Sequence, residues 1–131
     1  MKLTMSWTAA LGAILLGALL LPPQLQAQGW VISGTVADAL GSPIPQADLD
    51  LFSDLAPSVE IAVSGDTTGP DGTFSMTILD AVPAGAFSMQ VEPPPGFLST
   101  TLSLSLSGSI DVGVINLGSG WIISGIVQDT N

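Results

Sequence analysis

Between Trp30 and Leu117 apolar side chains recur at alternate positions in short runs, and each run ends in a cluster of Gly, Pro, Ser, Thr or Asp. A two-residue period sends successive side chains to opposite faces of an extended chain, so each run predicts a half-buried strand. No run in this region sustains a 3.6-residue period, and almost no helix is expected there.

The first run, Trp30 to Ala37, places Ile32 and Val36 on one face and Ser33 and Thr35 nearer the other; Gly41 to Pro45 then bends the chain. The run from Ala47 to Phe52 alternates strictly, with Ala47, Leu49 and Leu51 inward and Asp48 and Asp50 in water. Val59, Ile61 and Val63 mark a third strand. The turn Gly69-Pro70-Asp71-Gly72 leads into a fourth with Phe74, Met76 and Ile78 on one face, because Pro fixes a negative φ and Gly accepts a positive one. Phe87, Met89 and Val91 make a fifth; Leu102, Leu104 and Leu106, alternating with serines, make a sixth. In the seventh, Ile110 to Leu117, Ile115 and Leu117 point to the core, while the pattern leaves the face of Val112 and Val114 open. Short strands at this spacing predict an all-β fold, a seven-stranded antiparallel Greek-key β-sandwich.

The N-terminus reads differently. Lys2 precedes a 13-residue apolar stretch from Ala9 to Leu21, and Leu25-Gln26-Ala27 ends in the small residue that a signal peptidase requires. A bilayer core needs about 20 apolar residues, and Pro22-Pro23 ends a helix early, so a cleaved signal-peptide helix over residues 1–27 is expected rather than an anchor. The product would be secreted, either extracellular or held at a cell surface.

That cut changes the charge picture. Lys2 is the only Lys or Arg in the sequence, and all 11 carboxylates follow it, so the exported part carries no basic side chain. Nucleic acid is excluded as a partner, since phosphate binding rests on Lys and Arg displacing counterions. No membrane association is expected after cleavage, because anionic lipid surfaces attract basic segments. With no Cys and no His, the chain has no disulfide framework, no usual zinc, copper or haem ligands, and no Ser-His-Asp or Cys-His nucleophile.

Several short motifs occur in a consistent order. Ile32 to Val36 is followed by Gly41-Ser42-Pro43-Ile44-Pro45-Gln46-Ala47-Asp48-Leu49-Asp50-Leu51, then by Thr67-Thr68-Gly69-Pro70-Asp71-Gly72-Thr73-Phe74. Pro83-Ala84-Gly85-Ala86-Phe87, Pro95-Gly96-Phe97 and Val112 to Leu117 complete the set. Together, from Trp30 to Leu117, they resemble the carboxypeptidase regulatory-like domains, whose fold is a transthyretin-like (prealbumin-like) β-sandwich. The chain departs from that pattern at Gly69, where many relatives carry Asp. Some relatives stabilise themselves with Lys-Asn or Lys-Asp isopeptide bonds, which a chain without an exported Lys cannot form. The resemblance implies a fold and no reaction.

The phrase GWVISGTVAD at Gly29 returns as GWIISGIVQD at Gly120; Trp30 recurs as Trp121, a spacing of 91 residues, about one sandwich. This predicts a tandem array with one sandwich over residues 28–118 and the first strand of a second, truncated repeat over residues 119–131. One strand cannot bury its apolar face alone, so the sequence is expected to be a fragment of a longer protein, the alternative being a naturally short product whose last strand pairs with an exposed sheet edge of its own or another molecule.

Candidate chemistry is sparse. Asp66 and Asp71, with carbonyls of the intervening Gly-rich turn, offer oxygen ligands of the kind calcium takes; their spacing fits no established calcium loop, and Asp at a turn more often bonds backbone amides. No other cofactor is expected. Asp48 and Asp50 form a carboxylate pair of the type used in glycoside hydrolysis, but the solvated face of a strand explains them more simply. Trp30, Phe52 and Phe97 are candidate platforms for a glycan; Trp30 at a strand start more often packs against a neighbour, and Phe97 more often folds over the end of a sandwich. The reading that results is a non-catalytic spacer or adhesion module whose partners are neighbouring repeats or extracellular proteins. A carbohydrate-binding module is the alternative.

Overall fold

The computed structural model describes residues 25–55 and 59–121, together with 125 and 128. The predicted leader up to residue 24 and most of the second phrase beyond Trp121 lie outside the described residues.

The described residues form eight strands and no helix: β1 (Val31–Asp38), β2 (Asp48–Ser53), β3 (Val59–Ile61), β4 (Val63–Ser64), β5 (Thr73–Ile78), β6 (Gly85–Glu92), β7 (Thr100–Leu106) and β8 (Ile110–Leu117). They assemble into two four-stranded sheets, ordered β4-β5-β1-β8 and β3-β2-β6-β7. The inner faces meet in one core. Ile32 and Val36 of β1, Met76 and Ile78 of β5 and Leu117 of β8 contribute from the first sheet; Leu49, Leu51, Phe87, Met89 and Val91 contribute from the second. Each lies at an apolar position of the two-residue pattern, and burying such a side chain fully stabilises the fold by about 1.5–3 kcal/mol.

Two features correct the expected seven-stranded antiparallel arrangement. The run Val59 to Val63 is two strands, because the chain changes sheet at Ala62: β3 pairs with β2, and β4 pairs with β5. Ala62 N–H donates to Asp80 Oδ2 at 2.8 Å and its carbonyl accepts from Leu79 N–H at 2.9 Å, which fixes the crossing. In addition, β1 and β8 run parallel. A parallel pair needs a long crossover connection, and these two strands, the first and last of the sandwich, are joined through all the others.

The β1–β8 ladder also settles the face of Val112 and Val114. Ser33 pairs with Asp111 and Thr35 with Val114, so β8 carries one extra residue, a bulge around Gly113 at φ 72°. The insertion switches parity along β8. Val112 packs against the core on the same side as Ile110, whereas Val114 is 61% exposed and Ile115 and Leu117 turn inward beyond it.

The segment before β1 is part of the sandwich. Ala27 is fully buried, its N–H donates to Val82 O at 2.7 Å, and Ala84 N–H donates to Leu25 O at 3.0 Å. The expected cut after Ala27 therefore falls beside a residue that the core contains.

Candidate functional site

The predicted candidate residues fall in three separate regions, with Trp30 apart from all of them just before β1. The first is the outer face of the second sheet. Register puts Asp48 opposite Glu92, Asp50 opposite Gln90, and Phe52 between Glu60 and Ser88. The Asp50 carboxyl is held above its ordinary value, first by its partial burial and then by the negative charges of Asp48, Glu60, Glu92 and Asp66. The predicted pair is thus part of a wider acidic face, which sequence spacing did not reveal because Glu60, Asp66 and Glu92 reach it from other segments.

This face costs stability near neutral pH. A carboxyl whose folded pKa is raised opposes folding when ionised; that cost is absent below its unfolded value of 3.8 and complete above its raised folded value. Asp50→Asn is therefore expected to stabilise the protein at pH 7, by less than about 1 kcal/mol because the site is largely solvated. Urea melts should show the gain shrinking as pH falls towards 4 and as salt rises; a loss of stability at pH 7 would contradict it.

The second region is the turn between β4 and β5. Asp71 Oδ1 accepts from the Thr73 hydroxyl at 2.6 Å and from Thr73 N–H at 3.1 Å. These bonds, the hydroxyl's first, hold the Asp71 carboxyl below its ordinary value. Asp66 serves differently: its carbonyl accepts from Leu49 N–H at 2.7 Å, and its charge acts on Asp50. Among the described residues no group of three or more carboxylates is arranged to hold a metal ion.

Thr68, in the same turn, was singled out by no sequence signal beyond its place in the motif. It is 4% exposed; its hydroxyl donates to Ile44 O and accepts from Ala47 N–H, both at 2.8 Å.

The third region is the end of the sandwich where the chain leaves. Leu98 N–H donates to Gly118 O and Gly120 N–H to Gly96 O, each at 2.9 Å, with Phe97 bridged to Ser119. Residues 118–120 are thereby laid along the Pro-Gly-Phe loop. Beside them is a hollow of about 180 Å³ lined by Asp38, Ala39, Leu40, Phe97, Leu117 and Ser119. Asp38 Oδ1 accepts from the N–H groups of Leu40 and Ser42 at 2.9 and 2.8 Å, a tight turn that leaves Leu40 92% exposed. Leu98 is exposed as well, and Trp121 is 94% exposed.

The three candidate rings are not assembled into one platform. Trp30 precedes β1 and packs on the core, whereas Phe97 lies near Asp38 at the other end of that strand. At about 3.3 Å per residue, the length of β1 separates them by on the order of 25 Å. Phe52 stands on the outer face of the opposite sheet. A larger hollow of about 430 Å³, lined mainly by Ser33, Thr35, Thr73, Asp111 and Val114, adjoins the bulge and contains none of the three rings.

No family model matches the chain, and no curated protein matches it in sequence. Among solved structures it is similar to 5-hydroxyisourate hydrolase from Klebsiella pneumoniae, over 77% of this chain and 95% of that one, with 16% identity and a TM-score of 0.47. It is also similar to a 9R-lipoxygenase from Cyanothece PCC8801, over 68% of this chain but only 16% of that one, with 14% identity and a TM-score of 0.47. A DUF3823 family protein from Parabacteroides merdae matches over 71% of this chain and 46% of its own length, with 20% identity and a TM-score of 0.43. At these values the likenesses assign neither a family nor an activity.

Proposed function

We propose that the protein is a secreted, non-catalytic β-sandwich module of the carboxypeptidase regulatory-like, transthyretin-like type, acting as a spacer or interaction element in a tandem array. The exit segment carries this reading. It is hydrogen-bonded to the body of the sandwich at Gly96 and Leu98, so the second phrase, which begins at Gly120, leaves from a fixed point. Leu40 and Leu98 stand exposed in the same region, where a following module would cover them. A chain held in this way transmits orientation as well as distance, unlike a flexible linker.

Small-angle scattering on a tandem of residues 25–120 joined directly to a second copy of residues 30–120, which keeps the native spacing between Gly120 and the following Trp, tests the reading. One elongated arrangement should fit the data, and Leu98→Pro, which deletes the donor to Gly118, should broaden it. Scattering that only a wide spread of orientations can fit, already in the unaltered tandem, would count against a spacer.

Glycan binding is the second reading, supported by the Phe52 ring among Glu60, Ser88 and Gln90 on the outer face. A glycan array with the Phe52→Ala variant as control decides it, and no binding to any glycan would remove it.

A further inference from the structure

The carboxylates of this chain divide by what they bond. Asp38 Oδ1 accepts from the N–H groups of Leu40 and Ser42, Asp71 Oδ1 from Thr73 N–H, Asp80 Oδ2 from Ala62 N–H and Asp111 Oδ1 from Gly113 N–H, at 2.8–3.1 Å. Each of these four holds a turn, the sheet crossing or the bulge, so the fold accounts for it. A second group lies on the outer face of the second sheet. Asp48, Asp50, Asp54, Glu60 and Glu92, five of the 11 carboxylates in the sequence, gather there around the Phe52 ring. Among the described residues none of the five accepts a backbone N–H; Asp54 and Glu92 accept from side chains only.

Register sets the arrangement. Phe52 lies between Glu60 of β3 and Ser88 of β6, and the Ser88 hydroxyl donates to Asp54 Oδ1 at 2.8 Å. Gln90, opposite Asp50, donates instead to Glu92 Oε1 at 2.7 Å. The two donors that β6 offers on this face are thus taken, and Asp48, Asp50 and Glu60 are left without a side-chain donor among the described residues. Lys2 is the only Lys or Arg in the sequence. Burial first, then the surrounding carboxylates, raises the Asp50 carboxyl, and no cation among the described residues offsets that repulsion.

We propose that this face docks a lysine- or arginine-rich polypeptide segment of another protein, with Phe52 as the central anchor. Charge complementarity argues for a cationic partner. The ring argues for a polypeptide: it takes an ammonium or guanidinium group over its face and the apolar stem of Lys or Arg beside it. A metal ion makes no use of the ring, and no group of three or more carboxylates among the described residues is arranged to hold one. Spacing fits as well. Asp48, Asp50 and Phe52 alternate along β2 at about 6.7 Å, and an extended segment laid along the strand presents every second side chain at that period. The four-stranded face measures about 15 Å by 20 Å, well short of the roughly 1,200–2,000 Å² of stable interfaces. A single contact is therefore weak and sensitive to salt.

Residues 25–131, which include all eight strands and the whole core, are titrated by NMR with a peptide of alternating lysine and threonine. A length of about ten residues outreaches β2. Amide shifts should be confined to β2, β3 and β6, and the affinity should fall at least about tenfold as salt rises from about 50 to about 500 mM. The same peptide with glutamate for lysine should move nothing. Asp48→Asn combined with Asp50→Asn should weaken binding at least about tenfold, about 1.4 kcal/mol. Asp50→Asn is expected to gain stability, so this loss is not one of folding. Phe52→Leu should weaken binding about two- to fivefold, the range of an exposed cation–π contact. Asp38→Asn combined with Asp111→Asn removes the same charge from the first sheet, keeps an oxygen towards each amide, and should change affinity by less than about twofold.

Absence of any shift with peptide at about 1 mM would overturn the proposal. So would equal losses in the two double variants, which would mean attraction to net charge alone. Spermine or calcium moving the same amides as strongly as the peptide would make the face a site for small cations and would refute the choice of occupant. The inference extends the interaction reading of the module and is separable from the spacer: the tandem can scatter as one arrangement with no peptide bound, and the face can bind peptide in a tandem of many orientations.

Discussion

Gly72→Ala is expected to lower the stability of the sandwich by about 3 kcal/mol or more, the range reached when backbone strain and steric overlap combine. Two causes add. Gly72 has φ 75°, a left-handed conformation that costs a residue with a Cβ roughly 1–2 kcal/mol. A Cβ at this position would also lie 2.5 Å from Val36 O and 3.0 Å from Pro43 Cβ, on backbone and ring atoms that cannot rotate away. The same carbonyl, Val36 O, accepts from Ile44 N–H, and Gly72 O accepts from Val36 N–H, so a shift would break the clasp between β1, the Pro43 loop and the β5 turn. Gly41→Ala is the control: Gly41 has φ 85°, but a Cβ there meets nothing within 4 Å, so only the conformational cost of roughly 1–2 kcal/mol applies. Urea melts followed by Trp fluorescence measure both. Equal losses would mean that the contact with β1 contributes nothing.

The strands that sequence predicted best are those with one wet face and one dry face. In β5 and β6, and in β2 up to Leu51, the inward residues are the alternate apolar ones, since the two-residue period reports burial directly; Ser53, at the end of β2, is the one polar residue of these inward sets. That same period hid the sheet change at Ala62. Ile61 and Val63 are two apart and both face apolar surroundings, yet they belong to different sheets, and alternation says nothing about which strand is the partner. It also left Val112 and Val114 open, because a bulge reverses parity without altering composition; Gly113 between them was the sole local sign. The acidic pair was legible as exposed, but its extension to Glu60, Asp66 and Glu92 depends on cross-strand register, which no single strand encodes.

Thr68 tests how much the motif contributes as opposed to the pattern. Hydrophobicity alone predicts that Thr68→Val, which replaces a buried hydroxyl with a methyl of similar size, should stabilise the protein. The hydrogen bonds predict the reverse. The hydroxyl bridges Ile44 O and Ala47 N–H, while the Thr68 backbone pairs with Ala47 N–H's own residue through Ala47 O at 2.9 Å and with Gln46 N–H at 3.0 Å. Four bonds thus hold a loop that includes Gln46 at φ 59°, the one non-glycine residue with a positive φ among the described residues. A valine in place of Thr68 would leave a buried donor and a buried acceptor without partners, at about 1–3 kcal/mol each, less the gain from an added methyl of about 0.8 kcal/mol. Thr68→Val is therefore expected to lose about 1–5 kcal/mol, and Thr68→Ser, which keeps the bridge and loses only a methyl, about 0.8 kcal/mol. The order wild type, Thr68→Ser, Thr68→Val in urea midpoint is the result expected. If the valine variant instead matches wild type, the loop stands by packing, and the Thr of this motif is replaceable by any side chain of its shape.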